Sequence, residues 1–272
     1  MKKSIAVAGL AAAAAVALPV ILAAPGKAKK SQKNTFEGRN YAHRGLHSED
    51  TLVPENSLAA FRQACEAGYG IELDVRLSRD GEVVVFHDDT LERLCGVDAR
   101  VDELDYAQLR ELRICGTDEY IPLFGEVLEL VNGSVPLIVE LKNGRQNKSL
   151  CEKSYALLSG YKGDYCIESF NPIVVGWFKR NAKEVFRGQL ATDYADYGKL
   201  KKSTAFILSR CLMNFISRPQ FIAYRIGPKP VTVRLAEFMG AMKVGFTSRA
   251  EENEAGQDAV IFEFYRPRLK YK

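Results

Sequence analysis

Short apolar runs alternate with stretches of helical period along most of this chain. The runs Asn40–Ala42, Tyr69–Leu77, Val83–Phe86, Pro136–Lys142, Tyr165–Phe170, Phe186–Ala191, Phe221–Arg225, Lys243–Thr247 and Ala259–Phe264 predict strands. Between them, Leu58–Ala67, Phe124–Val131, Asn147–Leu158, Ile173–Arg180 and Val231–Met242 predict helices. Leu58, Phe61, Ala64 and Cys65 share one helix face, Ser57 is placed to cap its start, and Gly68 to end it. Strands alternating with helices predict an α/β protein with a parallel sheet. Seven or eight such units in about 240 residues favour a closed (β/α)8 TIM barrel, residues 40–272, over two smaller domains or a doubly wound sheet. No Gly-x-Gly-x-x-Gly follows the first strand, which weakens a dinucleotide-binding reading.

Two segments depart from this alternation. Residues 1–30 begin with Lys2 and Lys3 and continue through a charge-free run from Ser4 to Gly26, an N-terminal hydrophobic helix of membrane-spanning length. It reads as a signal-anchor or a cleaved signal peptide, followed by a polar, basic linker at 31–39. The anchor reading places the barrel domain outside the cytoplasm on a membrane tether; cleavage would make it secreted. Residues 194–218 are basic and apolar together, which fits either a packed barrel helix or an amphipathic segment at a membrane surface. Residues 248–258 are short for a complete crossover helix.

Charge narrows the partners. The 272 residues carry 38 basic and 34 acidic side chains, an excess of +4 that is too small to argue for nucleic acid. An anionic small molecule remains compatible. Six cysteines without a Cys-x-x-Cys pair argue against a zinc site and read as buried free thiols. Nothing here addresses oligomeric state.

Polar groups recur at the ends of the predicted strands: His43-Arg44-Gly45, Glu72 and Asp74, His87-Asp88, Glu140 and Lys142, and Glu168-Ser169-Phe170. In Tyr69–Leu77 the period-2 alternation sends Ile71, Leu73 and Val75 one way and Glu72, Asp74 and Arg76 the other. Carboxylates directed into a barrel require a cation or another partner. Strand C-termini are where such barrels deliver chemistry. His47, in the loop after the first strand, reads as a solvated residue, and Glu168 as one that either faces the site or pairs locally.

At this point the chain resembles the glycerophosphodiester phosphodiesterase family. The resemblance rests on His43-Arg44-Gly45, Pro54-Glu55-Asn56-Ser57 with Ala60-Phe61, Glu72-Leu73-Asp74-Val75, Asp80-Gly81, His87-Asp88 with Leu91 and Arg93, Glu140-Leu141-Lys142 and Ser169-Phe170. It implies a TIM barrel that hydrolyses glycerophosphodiesters to an alcohol and sn-glycerol 3-phosphate with a divalent cation, Ca²⁺ or Mg²⁺. It implies Glu72, Asp74 and Glu140 as metal ligands and His43 and His87 as the general acid–base pair. Arg44 and Lys142 would hold phosphate oxygens, with Glu55 orienting Arg44 or the metal site. Either water or the substrate's own glycerol hydroxyl would attack. Two departures stand out. Phe246-Thr247 replaces the family's usual Trp-Thr, leaving Phe246 to line the substrate pocket. Phe262-Glu263 replaces its usual Thr-Asp. The Phe246 replacement and the short C-terminus keep open a non-catalytic module that binds a phosphate ligand, and the N-terminal anchor, by placing the site near lipid, keeps open lysophospholipase D-type activity.

Overall fold

The computed structural model describes residues 17–198 and 200–270. Nine strands are present among them: β1 (Arg39–Ala42), β2 (Gly70–Leu77), β3 (Val83–Val85), β4 (Leu137–Leu141), β5 (Tyr165–Ser169), β6 (Phe186–Ala191), β7 (Phe221–Arg225), β8 (Met242–Ser248) and β9 (Ala259–Phe262). All except β3 are parallel and run in the order β1-β2-β4-β5-β6-β7-β8-β9 before β9 pairs again with β1. The sheet is therefore a closed eight-stranded parallel barrel, and a TIM barrel is the fold.

Val83–Phe86 is not a barrel strand. β3 runs antiparallel to β2, with Val85 opposite Val75 and Val83 opposite Leu77. β2 overshoots the barrel rim, turns at Asp80-Gly81, and β3 brings the chain back to rim height, where Phe86 N–H donates to Asp74 O. A two-residue turn signal between β-branched runs favours a hairpin, whereas a parallel partner needs a long crossover. Residues 84–123 then form their own small apolar cluster around Phe86, Leu91, Leu109 and Ile121.

The outer layer consists of α2 (Leu58–Ala67), α3 (Phe124–Val131), α4 (Asn147–Gly160), α5 (Pro172–Asn181), α6 (Lys202–Ser209), α7 (Asn214–Ser217) and α8 (Val231–Phe238), preceded by α1 (Lys30–Phe36). Ser57 accepts the Ala60 N–H and Gly68 ends α2 in the left-handed region, as the capping pattern predicts. Alternation places Ile71, Leu73, Val75, Leu137 and Val139 against the helices. Register assigns Tyr41, Ile138, Cys166, Phe186, Phe221 and Met242 to the lumen instead, where they pack together. Gly188 belongs to this inner set because a Cβ there would lie 2.0 Å from the Phe221 ring.

Between β8 and β9 the chain makes only a 3-10 turn, Glu251–Glu254. Closure does not need the missing helix: Ser248 pairs with Phe262 after a register slip, and Asp258 accepts the Lys243 N–H at 2.8 Å. Residues 194–218 break into the 3-10 turn Tyr194–Tyr197 and the short helices α6 and α7. They bury Ala205, Cys211 and Asn214 while Phe206 and Phe215 stay exposed. All six cysteines are free thiols.

The N-terminal expectation falls largely outside the described residues, since 1–16 belong to it. Residues 17–23 are helical, and no helix among the described residues is long and apolar enough to cross a membrane. From Ala23 onward the chain is part of the fold. Asn214 Nδ2 donates to Ala23 O at 2.8 Å, Arg218 Nη1 to Ala24 O at 2.9 Å, and Gly26 N–H to Pro219 O at 2.8 Å. The segment 31–39, expected as a linker, instead contains α1 and the start of β1. Phe36 at its end is 4% exposed and stacks on Phe186 at 5.4 Å, closing the barrel floor. Phe36→Ala should therefore cost about 3 kcal/mol of unfolding free energy, read as a lowered urea midpoint; an unchanged midpoint would show that the floor stands without it.

Candidate active site

Strand register collects the polar groups at the upper rim. Asp74, Glu140 and Glu168 stand side by side on β2, β4 and β5, one row above Glu72. Oxygen atoms of Glu72, Asp74 and Glu140 all lie within 4.8 Å of one another, and all three residues are buried. Glu168 is 1% exposed and its Oε2 has no hydrogen-bond partner among the described residues. Four buried carboxyls thus share one end of the lumen.

Two cations reach them. Lys142 Nζ lies 2.9 Å from Glu140 Oε1 and 3.2 Å from Asp74 Oδ1. Arg44 Nε stands 3.5 Å from Asp74 Oδ2, while its backbone N–H donates to Glu72 Oε2 at 3.1 Å. Arg44 adopts a positive φ of 54°, and Gly45, at φ 80°, completes the turn; a Cβ on Gly45 would lie 2.9 Å from Ala60 on α2. This tight exit aims the Arg44 amide at Glu72.

The charges are unequally shared. Burial acts to raise the Asp74 pKa, but Lys142, His87, Arg44 and the Asn56 hydrogen bond override it and hold Asp74 well below the carboxylate range. Burial pushes Glu72 well above that range, reinforced by Asp74, Glu140 and Glu168. Glu168 is also pushed well up, by burial first and then by Glu140 and Asp74. Burial raises Glu140 too, against the pull of Lys142, while Lys142 keeps its proton because Asp74 and Glu140 outweigh its own burial.

Each of two imidazoles is held by its own carboxylate. His43 Nδ1 lies 2.8 Å from Glu263 Oε2, and His43 Nε2 faces Glu72 Oε2 at 4.0 Å. Burial acts to raise the Glu263 pKa, but His43, His47 and Arg249 together hold it far below the carboxylate range. An ionised carboxylate only accepts, so the His43 proton sits on Nδ1 and the Nε2 lone pair is free. Burial lowers the His43 pKa, against the opposing pull of Glu263, which favours the neutral ring. His87 repeats the pattern, with Nδ1 at 2.6 Å from Asp88 Oδ1. Its backbone is clamped by Arg76, which donates from Nε and Nη2 to His87 O at 2.9 and 2.7 Å. A further chain ties the two halves together: Arg93 donates to Asp88 and to both oxygens of Glu55, and Glu55 Oε1 accepts from Arg44 Nη1 at 2.6 Å.

All nine residues singled out in the sequence lie on this rim. Glu55 Oε1 accepts from Arg44 Nη1. Lys142 sits among the carboxylates, between Asp74 and Glu140. Phe246, on the inner face of β8, meets Phe170 edge-on at 6.0 Å, and Phe170 meets Tyr197 at 6.4 Å, forming an aromatic wall beside the acids. His47 is not a solvated loop residue. Its side chain is 8% exposed, lies 3.8 Å from Glu263 Oε2, and meets the Phe264 ring edge at 5.0 Å. Asn56, Asp88, Arg93 and Glu263 had no assigned role in the sequence. Asn56 donates to Asp74 Oδ2 at 2.8 Å from a left-handed backbone, φ 55°. Glu263 had one usable signal: in the period-2 run it shares a face with Ala259 and Ile261, which point into the lumen.

A parallel barrel with clustered carboxyls and two carboxylate-held imidazoles at its strand C-termini has the build of a hydrolase that works by acid–base chemistry on a polar substrate. Residues 43–202 match the Glycerophosphoryl diester phosphodiesterase family, more than half of the chain. The chain belongs to that family. It is 32% identical over 159 residues to the lysophospholipase D GDPD1 of Rattus norvegicus, covering 54% of this chain and 49% of the relative. It is 38% identical over 113 residues to a glycerophosphodiester phosphodiesterase of Caldanaerobacter subterraneus, covering 38% and 44%. The matches thus span about half the length of these curated relatives. Among solved structures, an Oleispira antarctica phosphodiesterase in complex with sn-glycerol-3-phosphate superposes with a TM-score of 0.69 at 24% identity, over 85% of this chain and 94% of that one. A Thermotoga maritima glycerophosphodiester phosphodiesterase gives 0.60 at 25%, over 82% and 93%.

The unpartnered Glu168 gives a pH test. Its raised pKa means that the folded chain ionises this group only above the ordinary value of 4.5, while the unfolded chain ionises there. Native stability is therefore lost as pH rises through the folded value. In EDTA, Glu168→Gln should match the parent's melting temperature at pH 4 and exceed it by at least about 2 °C at pH 8. A pH-independent difference would contradict an ionisable, unpaired Glu168.

Proposed function

We propose that this chain hydrolyses glycerophosphodiesters to an alcohol and sn-glycerol 3-phosphate, with His43 as general base and His87 as general acid. One observation carries the reading: two imidazoles, each fixed in one tautomer by a carboxylate, stand beside a buried acid trio short of positive charge. Four carboxyls face two cations there, so a divalent cation fits both the charge deficit and the all-oxygen donor set. Glu72, Asp74 and Glu140 would hold it, as Ca²⁺ or Mg²⁺. When bound, the cation supplies electrostatic stabilisation of negative charge developing on the phosphoryl oxygens.

The chain's own groups do the rest. Arg44, braced by Glu55, and Lys142 bind the phosphate oxygens; Arg offers a fork of donors and Lys a point charge. His43 takes the proton of the attacking hydroxyl on its free Nε2, and the negative Glu263 steadies the imidazolium that results. His87, clamped through its carbonyl by Arg76, acts in its doubly protonated form: Asp88 holds the Nδ1 proton, and Nε2 gives its proton to the leaving alkoxide. Phe246 and Phe170 line the apolar side of the pocket. The aromatic wall also favours a second reading, lysophospholipase D-type action, because it offers an apolar surface to an acyl glycerol. The rat relative's name points the same way. Release of choline from glycerophosphocholine and from lysophosphatidylcholine, compared at equal concentration, separates the two.

His43→Ala or His87→Ala should lower turnover of glycerophosphocholine by about 10²–10⁴ with the fold intact. Undiminished release of glycerol 3-phosphate by either variant would remove that imidazole from the chemistry. The acid limb of kcat/KM should lie below pH 6.5, because burial lowers the His43 pKa and the neutral ring is the active form. EDTA should abolish turnover, and added Ca²⁺ or Mg²⁺ should restore it; activity that persists in EDTA would overturn the cation's part.

A further inference from the structure

His43, His47 and Glu263 each bring one potential ligand atom within 4.8 Å of the others, and Glu263 Oε2 lies 2.8 Å from His43 Nδ1 and 3.8 Å from His47 Nε2, on the far side of the His43 ring from the acid trio. The His47 Nε2 is buried and has no hydrogen-bond partner among the described residues, since 3.8 Å to Glu263 exceeds bonding distance. Glu263 Oε1 is fixed by Arg249, which donates from Nε at 2.9 Å and Nη2 at 2.7 Å, leaving Oε2 for the two histidines. Phe264 backs His47. Side-chain exposures of 16%, 8% and 11% for His43, His47 and Glu263 leave an approach from the rim.

We propose that this trio is a second, inhibitory metal site, selective for Zn²⁺ or a similar borderline ion. Two imidazole nitrogens and one carboxylate suit zinc, with water as fourth ligand, whereas the neighbouring all-oxygen set suits Ca²⁺ or Mg²⁺. Tetrahedral zinc places its ligand atoms about 3.4 Å apart. His47 at 3.8 Å from Glu263 is near that spacing, and the 2.8 Å His43–Glu263 pair opens slightly to admit the ion. Binding at Nδ1 forms a zinc–nitrogen bond and moves the neutral ring's single proton from Nδ1 to Nε2. The lone pair that serves as base is then gone. The inhibitory effect rests on the role proposed for His43; the binding site does not.

The test uses the full chain with Mg²⁺ and glycerophosphocholine. Zn²⁺ should inhibit with a component that tenfold more Mg²⁺ does not relieve. His47→Asn should keep near-parental zinc-free activity while raising the half-inhibiting Zn²⁺ concentration by at least about tenfold. Co²⁺ added to the parent should give a visible absorption band of nitrogen-ligated, low-coordinate cobalt, lost in His47→Asn. His47→Gln serves if His47→Asn melts early. Equal zinc sensitivity in the variant, inhibition fully reversed by Mg²⁺, or a cobalt band indifferent to residue 47 would each overturn the site. If the zinc-free parent releases no glycerol 3-phosphate, the functional reading fails, while the cobalt spectrum still decides whether His43, His47 and Glu263 bind metal.

Discussion

The upper end of this barrel is governed by an electrostatic imbalance: four buried carboxyls on three adjacent strands against one buried and one half-buried cation. Like charges at this spacing in a low-dielectric lumen repel strongly. Much of the surrounding structure answers that repulsion. Asn56 donates to Asp74, the Arg44 amide donates to Glu72, and Lys142 lies between Asp74 and Glu140. Burial keeps Glu72 and Glu168 reluctant to ionise, so part of the imbalance is carried as protons. The same groups that repel one another would welcome an added cation.

Around that centre the two histidines are handled alike from opposite sides. Each uses Nδ1 for a carboxylate, which fixes the ring and the tautomer together. The supports differ in origin. Glu263 follows the last barrel strand, where closure against β1 brings it to His43. Asp88 is the next residue to His87 and is itself braced by Arg93 through Glu55. One imidazole therefore depends on barrel closure and the other on the hairpin and its apolar cluster.

Much of this could be read from one chain because it is written in short-range pattern. The period-2 run of β2 separates Ile71 and Leu73 from Glu72 and Asp74, and the structure buries each set against a different layer. Ser57 and Gly68 mark the limits of α2 by their own chemistry. What escaped depends on groups far apart in sequence. Glu263 reaches His43 across 220 residues, and His47 becomes buried only because the β9 exit folds over it. The antiparallel direction of β3 is hard to read from sequence because a β-branched run ending in histidine looks the same in a parallel or antiparallel partner; only the short Asp-Gly turn favours the latter. Lys30–Phe36 looked like a tether because its polar residues outnumber the single aromatic that anchors it.

That anchor has a consequence for molecular traffic. With Phe36 set into the floor against Phe186, and Tyr41 and Phe221 filling the space above it, the barrel is a cup and not a tube. Anything that reaches the acids must arrive through the upper rim and leave by the same way. Whatever seats deepest in the cup is then the last to depart, and it blocks the next arrival until it does.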